Sequence, residues 1–412
     1  MRVAVFMGDY APSIGGGYTL QQEIFRAIES LGPASGHEFV FFTTSAVAST
    51  GFSTGLKVVP CDDPNRGNRV AKACRVMIAC FAAAVSRRVS SRFFDRWADP
   101  VKALLREEGI DVIWSVVPSC LCKDIPYITT VWDLQHRVNP FFPEVSIEHE
   151  WESREEGYRH LLQRAAYVVT GTRAGMLEIM NFYQIPPARI RILPFPAPTF
   201  HWDSDPAKDL AVLESYGIRG GYLFYPAQFW PHKNHYGVLQ SLLALRRRHG
   251  LTLPAVFVGS DKGNLSYIRS QVSELGLDEQ VHFLGFVPRE HLSALYRQAF
   301  ALFFLTYCGP DNLPPLEAFA HHCPVIASDV AGAEEQMGDA ALLVDPKDPD
   351  HVADAVHRLH RDRELRQTLV ARGADRASRL TAESYFKGIC SMLDEFGSVR
   401  RTWSDRHFKL AR

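Results

Sequence analysis

The chain has 412 residues, more than one hydrophobic core usually serves, and two domains of roughly 150 to 200 residues each are expected. Apolar residues at 46% and charged residues at 22% exclude the disordered and fibrous classes. A net charge of -1 excludes a general attraction to nucleic acid, and eight cysteines scattered without paired CxxC units form no zinc site and fit free thiols in a reducing cytoplasm.

Short β-rich runs alternate with helical stretches, the pattern of parallel strands joined by helical crossovers in an α/β protein. Met1 leads directly into a strand from Arg2 to Met7, which leaves no secretory leader and predicts a cytoplasmic location. Gly15, Gly16 and Gly17 follow, where a backbone without side chains lets a ligand come close, and then a helical stretch from Tyr18 to Leu31. Strands are expected next at Glu38 to Thr43 and Leu56 to Pro60. Between Arg66 and Arg96 basic residues outnumber acids and flank the apolar run VMIACFAAAV, which is too short to span a bilayer. Two readings stay open for it: an amphipathic helix resting on an anionic membrane surface, or the solvated face of a helix of the first domain.

Strands at Asp111 to Val117, Tyr127 to Asp133, Tyr167 to Thr172 and Arg191 to Phe195 complete the first half. Several are apolar almost throughout, as expected where helices cover both faces of a sheet. Pro194, Pro196, Pro198 and Pro206 then interrupt regular structure and mark a linker. The expected division is a first domain over 1–195, a linker over 196–206 and a second α/β domain over 207–384. Its strands fall at Tyr222 to Gln228, Ala255 to Gly259, His282 to Phe286, Phe300 to Thr306, Pro324 to Ser328 and Ala341 to Val344. The last stretch, from about residue 385 to 412, reads as a helix that packs back on the first domain through Tyr385, Phe386, Trp403 and Phe408.

The segment from Ala299 to His321 carries the strongest chemical signal. FALFFLTY is a buried-type strand, CGPDN cannot continue it, and Asn312 followed by Pro314 and Pro315 opens a helix. A helix start at the carboxyl end of a parallel strand offers unpaired N–H groups and partial positive charge, which suits a diphosphate. Glu317 has two readings: a carboxylate for a pair of ribose hydroxyls, or an acid that stabilises the helix dipole by about 0.3–1 kcal/mol.

CGPDNLPPLEAFAHHCPVIASD, from Cys308 to Asp329, resembles the donor-binding motif of the retaining glycosyltransferases of family four, and its GPxN-LPPLE form is similar to a subtype among polysaccharide transferases. The resemblance implies the GT-B fold, two Rossmann-like domains whose parallel sheets face each other across a cleft. It implies transfer of a sugar, with retention and without metal or other cofactor, from a nucleotide sugar to a hydroxyl of a glycan or lipid-linked glycan. Glu317 matches the second glutamate of the family motif. Gly309 stands where the first belongs, which makes Asp311 the expected substitute, beside Pro310, Asn312 and Leu313 in the donor loop. In YPAQFWPHKNH, Lys233 is placed to reach a phosphate and Asn234 lies at the helix opening, while Gln228 stands where the family has an arginine. His232 either assists or simply opens the helix. Gly259, Phe286 and Val287 fall where the family cradles base and ribose.

In the first half the resemblance sets Gly16 and Gly17 in a loop facing donor phosphate and acceptor. Trp132 replaces the histidine of a histidine-aspartate pair, of which Asp133 remains. Lys233, Asp133 and Asp311 are the catalytic candidates, and Tyr18, Trp132, His136 and Arg137 the acceptor-side ones. His136 reads equally as a surface loop residue, Trp132 also as a packing residue, and Glu144, Glu148 and Glu150 as solvated. The donor phosphate itself accepts the acceptor proton in the same-face mechanism proposed for the family. The DxD patterns at Asp203 to Asp205 and Asp348 to Asp350 lie in the linker and a surface turn, and no metal is expected there. Two alternatives remain: a sugar-nucleotide-binding protein without turnover, prompted by Gly309, Gln228 and Trp132, or another GT-B enzyme such as a sugar-nucleotide epimerase.

Overall fold

The computed structural model of the chain describes residues 1–7, 16–43, 56–61, 98–198 and 205–403. The basic segment from Arg66 to Arg96, with Gly15, Asp203 and Phe408, lies outside them. The first domain runs β1 (Arg2–Phe6), α1 (Gly16–Leu31), β2 (Glu38–Thr43), β3 (Lys57–Pro60), α2 (Ala98–Glu107), β4 (Val112–Ser115), β5 (Tyr127–Thr130), α3 (Gln135–Val138), α4 (Pro143–Ser146), α5 (Glu150–Leu162), β6 (Tyr167–Thr170), α6 (Arg173–Tyr183) and β7 (Ile190–Ile192). The second runs α7 (Pro206–Ser215), β8 (Leu223–Pro226), α8 (His235–His249), β9 (Ala255–Val258), α9 (Leu265–Glu274), β10 (Val281–Gly285), α10 (Arg289–Gln298), β11 (Ala301–Phe304), α11 (Leu313–Ala320), β12 (Val325–Ser328), α12 (Ala333–Met337), β13 (Ala341–Val344), α13 (Pro349–Arg361) and α14 (Arg363–Arg379). A final helix, α15, spans Ala382–Arg400.

Strands such as YITT, YVVT, AVFV and VIAS are buried at every position, because helices cover both faces of each sheet. All strand pairs are parallel, in the orders β3-β2-β1-β4-β5-β6-β7 and β10-β9-β8-β11-β12-β13. Each order reverses once, between β1 and β4 and between β8 and β11, and such a reversal opens a crevice at the carboxyl ends of the strands. The residues leaving those ends, toward α1, Lys233 and α11, are therefore placed together by topology.

The helix α15 belongs to the first domain by packing. Phe386 lies 5.3 Å from Phe39 and 6.5 Å from Trp114, ring centre to ring centre, and Tyr385, Ile389 and Leu393 are buried in the same core. Burying each of these side chains stabilises the fold by about 1.5–3 kcal/mol. Gly388 lets the helix approach β7, since a Cβ there would stand 2.5 Å from Leu193 Cδ2. Between the domains, the Ala197 N–H donates to the Leu380 carbonyl at 2.7 Å, so the chain's outward and return crossings touch. The Arg173 N–H, at the start of α6, donates to both carboxylate oxygens of Glu335 at 2.8 and 2.7 Å. Among the described residues no helix is long and apolar enough to cross a membrane.

Candidate active site

The two switch points face each other across one cleft of about 1440 Å³. From the second domain it takes Gln228, Lys233, Gly259, Phe286, Asp311 and Glu317, and from the first Gly17, Tyr18, Trp132, Asp133 and Arg154.

Glu317 lies one turn into α11 and is only 7% exposed. The Tyr296 hydroxyl donates to its Oε2 at 2.7 Å. Burial raises its pKa above the usual carboxylate range, and the Tyr296 hydrogen bond and the charge of Arg289 work against that rise. Its carboxylate lines the cleft.

The start of α11 is poorer in donors than a helix opening usually is. Pro314 and Pro315 carry no N–H, and the Asn312 N–H donates to Gln336 Oε1 at 3.1 Å. Leu313 therefore brings the one backbone donor of positions 313–315, while the dipole still favours an anion. Asn312 does not cap with its side chain either. Its Nδ2 donates back to the Gly309 carbonyl at 2.7 Å and shapes the loop.

This loop explains the missing glutamate. Gly309 has φ 119, which favours glycine, and a Cβ there would come within 2.8 Å of Asn312 Oδ1. A glutamate does not fit that backbone. Asp311 does reach the cleft, and its carboxyl packs over Gly171 of the first domain, whose absent Cβ would stand 2.3 Å from Asp311 Oδ2. Oδ2 is buried without a hydrogen-bond partner. Burial, followed by the nearby Glu335 charge, pushes the Asp311 carboxyl up to about 7.

Lys233 lines the cleft from the short turn Pro231–Lys233, with Nζ 5.1 Å from the centre of the Phe304 ring. Burial lowers its pKa, opposed by Cys308, Asp133 and Glu144, and among the described residues no carboxylate comes within ion-pairing distance. Gln228 holds the place of a second cation with an uncharged network: Trp230 Nε1 donates to its Oε1 at 3.1 Å and its Nε2 to Ser260 Oγ at 3.3 Å. Gly259 has to be glycine, because a Cβ would stand 2.2 Å from the Ala227 carbonyl oxygen. Phe286 is 65% exposed at the rim and Val287 is buried beside it. Asn234 stays out of the cleft: it caps α8 by accepting from the Gly237 N–H at 3.0 Å and donates to the Pro346 carbonyl at 3.1 Å.

On the facing side, Gly17 and Tyr18 line the cleft from the opening turn of α1, where Gly16 is the first residue. Asp133 follows β5. Burial would raise its pKa, but Arg154, whose Nη2 donates to Oδ1 at 2.6 Å, and the Gln135 N–H at 2.9 Å hold it below the usual range. Trp132 also lines the cleft, with its Nε1 donating to the Val116 carbonyl at 3.2 Å.

The structure removes two acceptor-side candidates. His136 is fully buried, stacked on Tyr158 at 5.4 Å and hydrogen-bonded to the Tyr183 hydroxyl at 3.0 Å, and burial holds its pKa near 4. Arg137 turns to Glu155, donating from Nε at 2.8 Å and Nη2 at 2.5 Å. Both side chains serve the packing between α3, α5 and α6. Glu144 is not solvated as expected: its side chain is 6% exposed and pairs with His232 Nδ1 across the domains, and its Oε1 accepts from the His232 N–H at 3.1 Å. Glu148 and Glu150 are exposed at the cleft. Asp348 caps α13, accepting from the Asp350 and His351 N–H groups at 3.0 Å each. Sequence reasoning missed Arg154, which reads as one more charge in EWESREEG, and Arg289, whose Nη1 donates to Gln22 and whose Nη2 lies 3.5 Å from Glu23 of the first domain.

Comparison with known proteins bears on the same residues. Residues 219–376 match the family model of glycosyl transferases group 1. The O-antigen chain mannosyltransferase B of Escherichia coli is 28% identical over 232 residues, 56% of this chain and 61% of that protein. The D-inositol 3-phosphate glycosyltransferase of Nocardia farcinica is 27% identical over 261 residues, 60% of this chain and 57% of the relative. The chain thus spans about three fifths of the length of these curated relatives. Among solved structures, sucrose-phosphate synthase from Thermosynechococcus elongatus superposes with a TM-score of 0.69 at 18% identity, covering 97% of this chain and 100% of the other. Anabaena Alr3699/HepE in complex with UDP gives 0.68 at 14%, covering 96% and 100%. These likenesses establish the GT-B fold, and residues 219–376, which hold Lys233, Asp311 and Glu317, are similar to the glycosyl transferases group 1 family.

Proposed function

We propose that the chain is a retaining glycosyltransferase that works without a metal, moving a sugar from a nucleoside-diphosphate donor to a hydroxyl of a glycan or lipid-linked glycan in polysaccharide assembly. The observation that carries this reading is the single cleft in which Lys233, Asp311 and Glu317 of one sheet meet Gly17, Tyr18 and Asp133 of the other. The UDP held by HepE and the O-antigen mannosyltransferase among the relatives support the same substrate classes.

In this reading the base lies by Phe286 and Val287, the ribose hydroxyls bind Glu317, and the diphosphate sits between α11 and Lys233. The acceptor oxygen bonds to the anomeric carbon as the bond from that carbon to the diphosphate oxygen breaks. The acceptor proton passes to the departing diphosphate on the same face. Lys233 and the helix dipole stabilise the negative charge that develops there. Asp311, whose Oδ2 has no hydrogen-bond partner, supports positive character at the anomeric carbon, with Asp133 on the acceptor side. The basic composition of residues 66–96 supports attachment to an anionic membrane surface from the cytoplasmic side.

The test is a thermal-shift panel of UDP, GDP, TDP and ADP followed by turnover with the sugar nucleotide of the base that binds. At 100 times its Kd the right nucleotide stabilises by about 2.7 kcal/mol. Lys233→Ala is expected to lower kcat by roughly 10²–10³. Binding without turnover across a broad donor panel would support the second reading, a nucleotide-sugar-binding protein without activity, which the glycine-only backbone at Gly309 motivates.

A further inference from the structure

We propose that a side pocket beside α5 seats the terminal sugar of the acceptor and is built for an uncharged glycan residue rather than a sugar phosphate; this rests on the donor reading above. The pocket, of about 390 Å³, continues the main cleft, and Trp132, Asp133, Glu150 and Arg154 line both. That volume lies within the range typical of small-ligand sites. A sugar lodged there has Asp133 between it and the donor.

Its charges select the ligand. Two carboxylates, Asp133 and Glu150, stand against one guanidinium, Arg154, and Arg154 is already bound to Asp133 at 2.6 Å. A phosphate entering this pocket meets net negative charge and no uncommitted cation among its lining residues. Sugar hydroxyls find acceptors on both carboxylates and a hydroxyl on Ser153. Trp132 has its indole N–H engaged by Val116 and is partly packed on the core of the first domain, so it offers the pocket ring carbon rather than a donor.

A second observation points to an occupant. Gly157 lies inside α5, where glycine is less favourable than alanine, and lines the pocket. Four other helix glycines have packing reasons: a Cβ on Gly175, Gly237, Gly373 or Gly388 would stand 2.3, 2.4, 2.5 and 2.5 Å from a neighbour, and one on Gly397 would make ordinary contact with Met1 at 3.7 Å. A Cβ on Gly157 meets nothing within 4 Å. No protein atom requires glycine there, and the space it keeps open is the pocket itself.

Binding of methyl gluco-, manno- and galactopyranosides and of the matching hexose 6-phosphates is measured by saturation-transfer NMR on the full chain, on Gly157→Trp and on Ser153→Trp. Both positions are exposed, so the tryptophans fill the pocket without entering the core, and an unchanged melting temperature checks this. The expected result is that a neutral glycoside binds, that both variants weaken it about tenfold or more, and that the phosphates bind more weakly than their neutral counterparts. Nucleotide stabilisation is expected to be the same in both variants as in the parent chain. No glycoside binding to the parent, a preference for the phosphates, or glycoside affinity unchanged by both tryptophans overturns the assignment. Loss of nucleotide stabilisation in the parent chain itself would instead reject the donor reading.

Discussion

Replacing Asp311 by asparagine keeps the shape of the side chain and removes its charge. The carboxyl's usual value of 3.8 rises to about 7 in the fold, chiefly by burial. At 1.36 kcal/mol per pH unit, that difference of about 3 sets an upper bound of about 4 kcal/mol. Asp311 is half-buried, and solvent screening reduces the figure to about 1–2 kcal/mol. The sign follows from which state holds the proton. The folded chain binds it more tightly than the unfolded one, so the stability tied to it is complete below pH 4 and is lost as pH rises through 7. Asp311→Asn and the parent chain should therefore melt together near pH 4, and the variant should melt about 2–8 °C higher at pH 8. Transfer should fall by roughly 10²-fold if the carboxylate supports the reacting centre. Differential scanning fluorimetry from pH 4 to 8.5, with turnover measured in parallel, reads both. A constant gap in melting temperature refutes the burial argument, and unchanged turnover refutes the catalytic role.

Glu317→Gln should weaken nucleotide binding by about 1.5–3 kcal/mol, the range for a hydrogen bond to a charged group, and a 2′,3′-dideoxyribose form of the same nucleotide should be insensitive to the change. Calorimetry with both nucleotides checks it. Gly171→Ala places a Cβ 2.3 Å from Asp311 Oδ2, so it should hold the domains apart, enlarging the radius of gyration by X-ray scattering and reducing turnover with little change in nucleotide affinity. His136, His235 and His321 are held neutral by burial, with pKa values lowered to about 4, about 3 and about 3. The unfolded chain takes up their protons first as pH falls below 6.5, so stability should decline from there toward pH 4; the three histidines alone would give a slope approaching about 4 kcal/mol per pH unit, and the protons that Asp311 and Glu178 take up in the folded chain, with pKa values raised to about 7, offset part of it. Denaturant titrations at pH 7, 6 and 5 measure that slope.

Strands and strand-end residues were legible in the sequence because burial on both faces writes them as unbroken apolar runs. The first acid beyond such a run, Asp133 after β5 or Asp311 after β11, then falls at the crevice. Helix faces were less legible. His136 and Arg137 sit just past the same strand end, yet Tyr183 and Glu155 draw them inward, and nothing near them in the chain announces those partners. Glu144 read as a solvated acid because His232, which buries it, lies 88 residues away. Asn234 and Asn312 illustrate a different limit: an asparagine at a helix start can bind a ligand or fold its own loop, and the residue type is the same in either case. Gly157 left no trace at all, since a glycine that keeps a space open resembles one on a solvated helix.

The placement of α15 sets an order on folding. Tyr385, Phe386, Ile389 and Leu393 complete the core around β1 and β4, so that sheet stays open along one face until α15, on the far side of the second domain in the sequence, has been made. The second domain, whose core is assembled from residues 197–369, can close while the first still waits. The strands β1 and β4 are thus sealed only after the second domain, and a ribosome stalled before residue 382 would hold a finished second domain tethered to a first sheet with its apolar face exposed to chaperones.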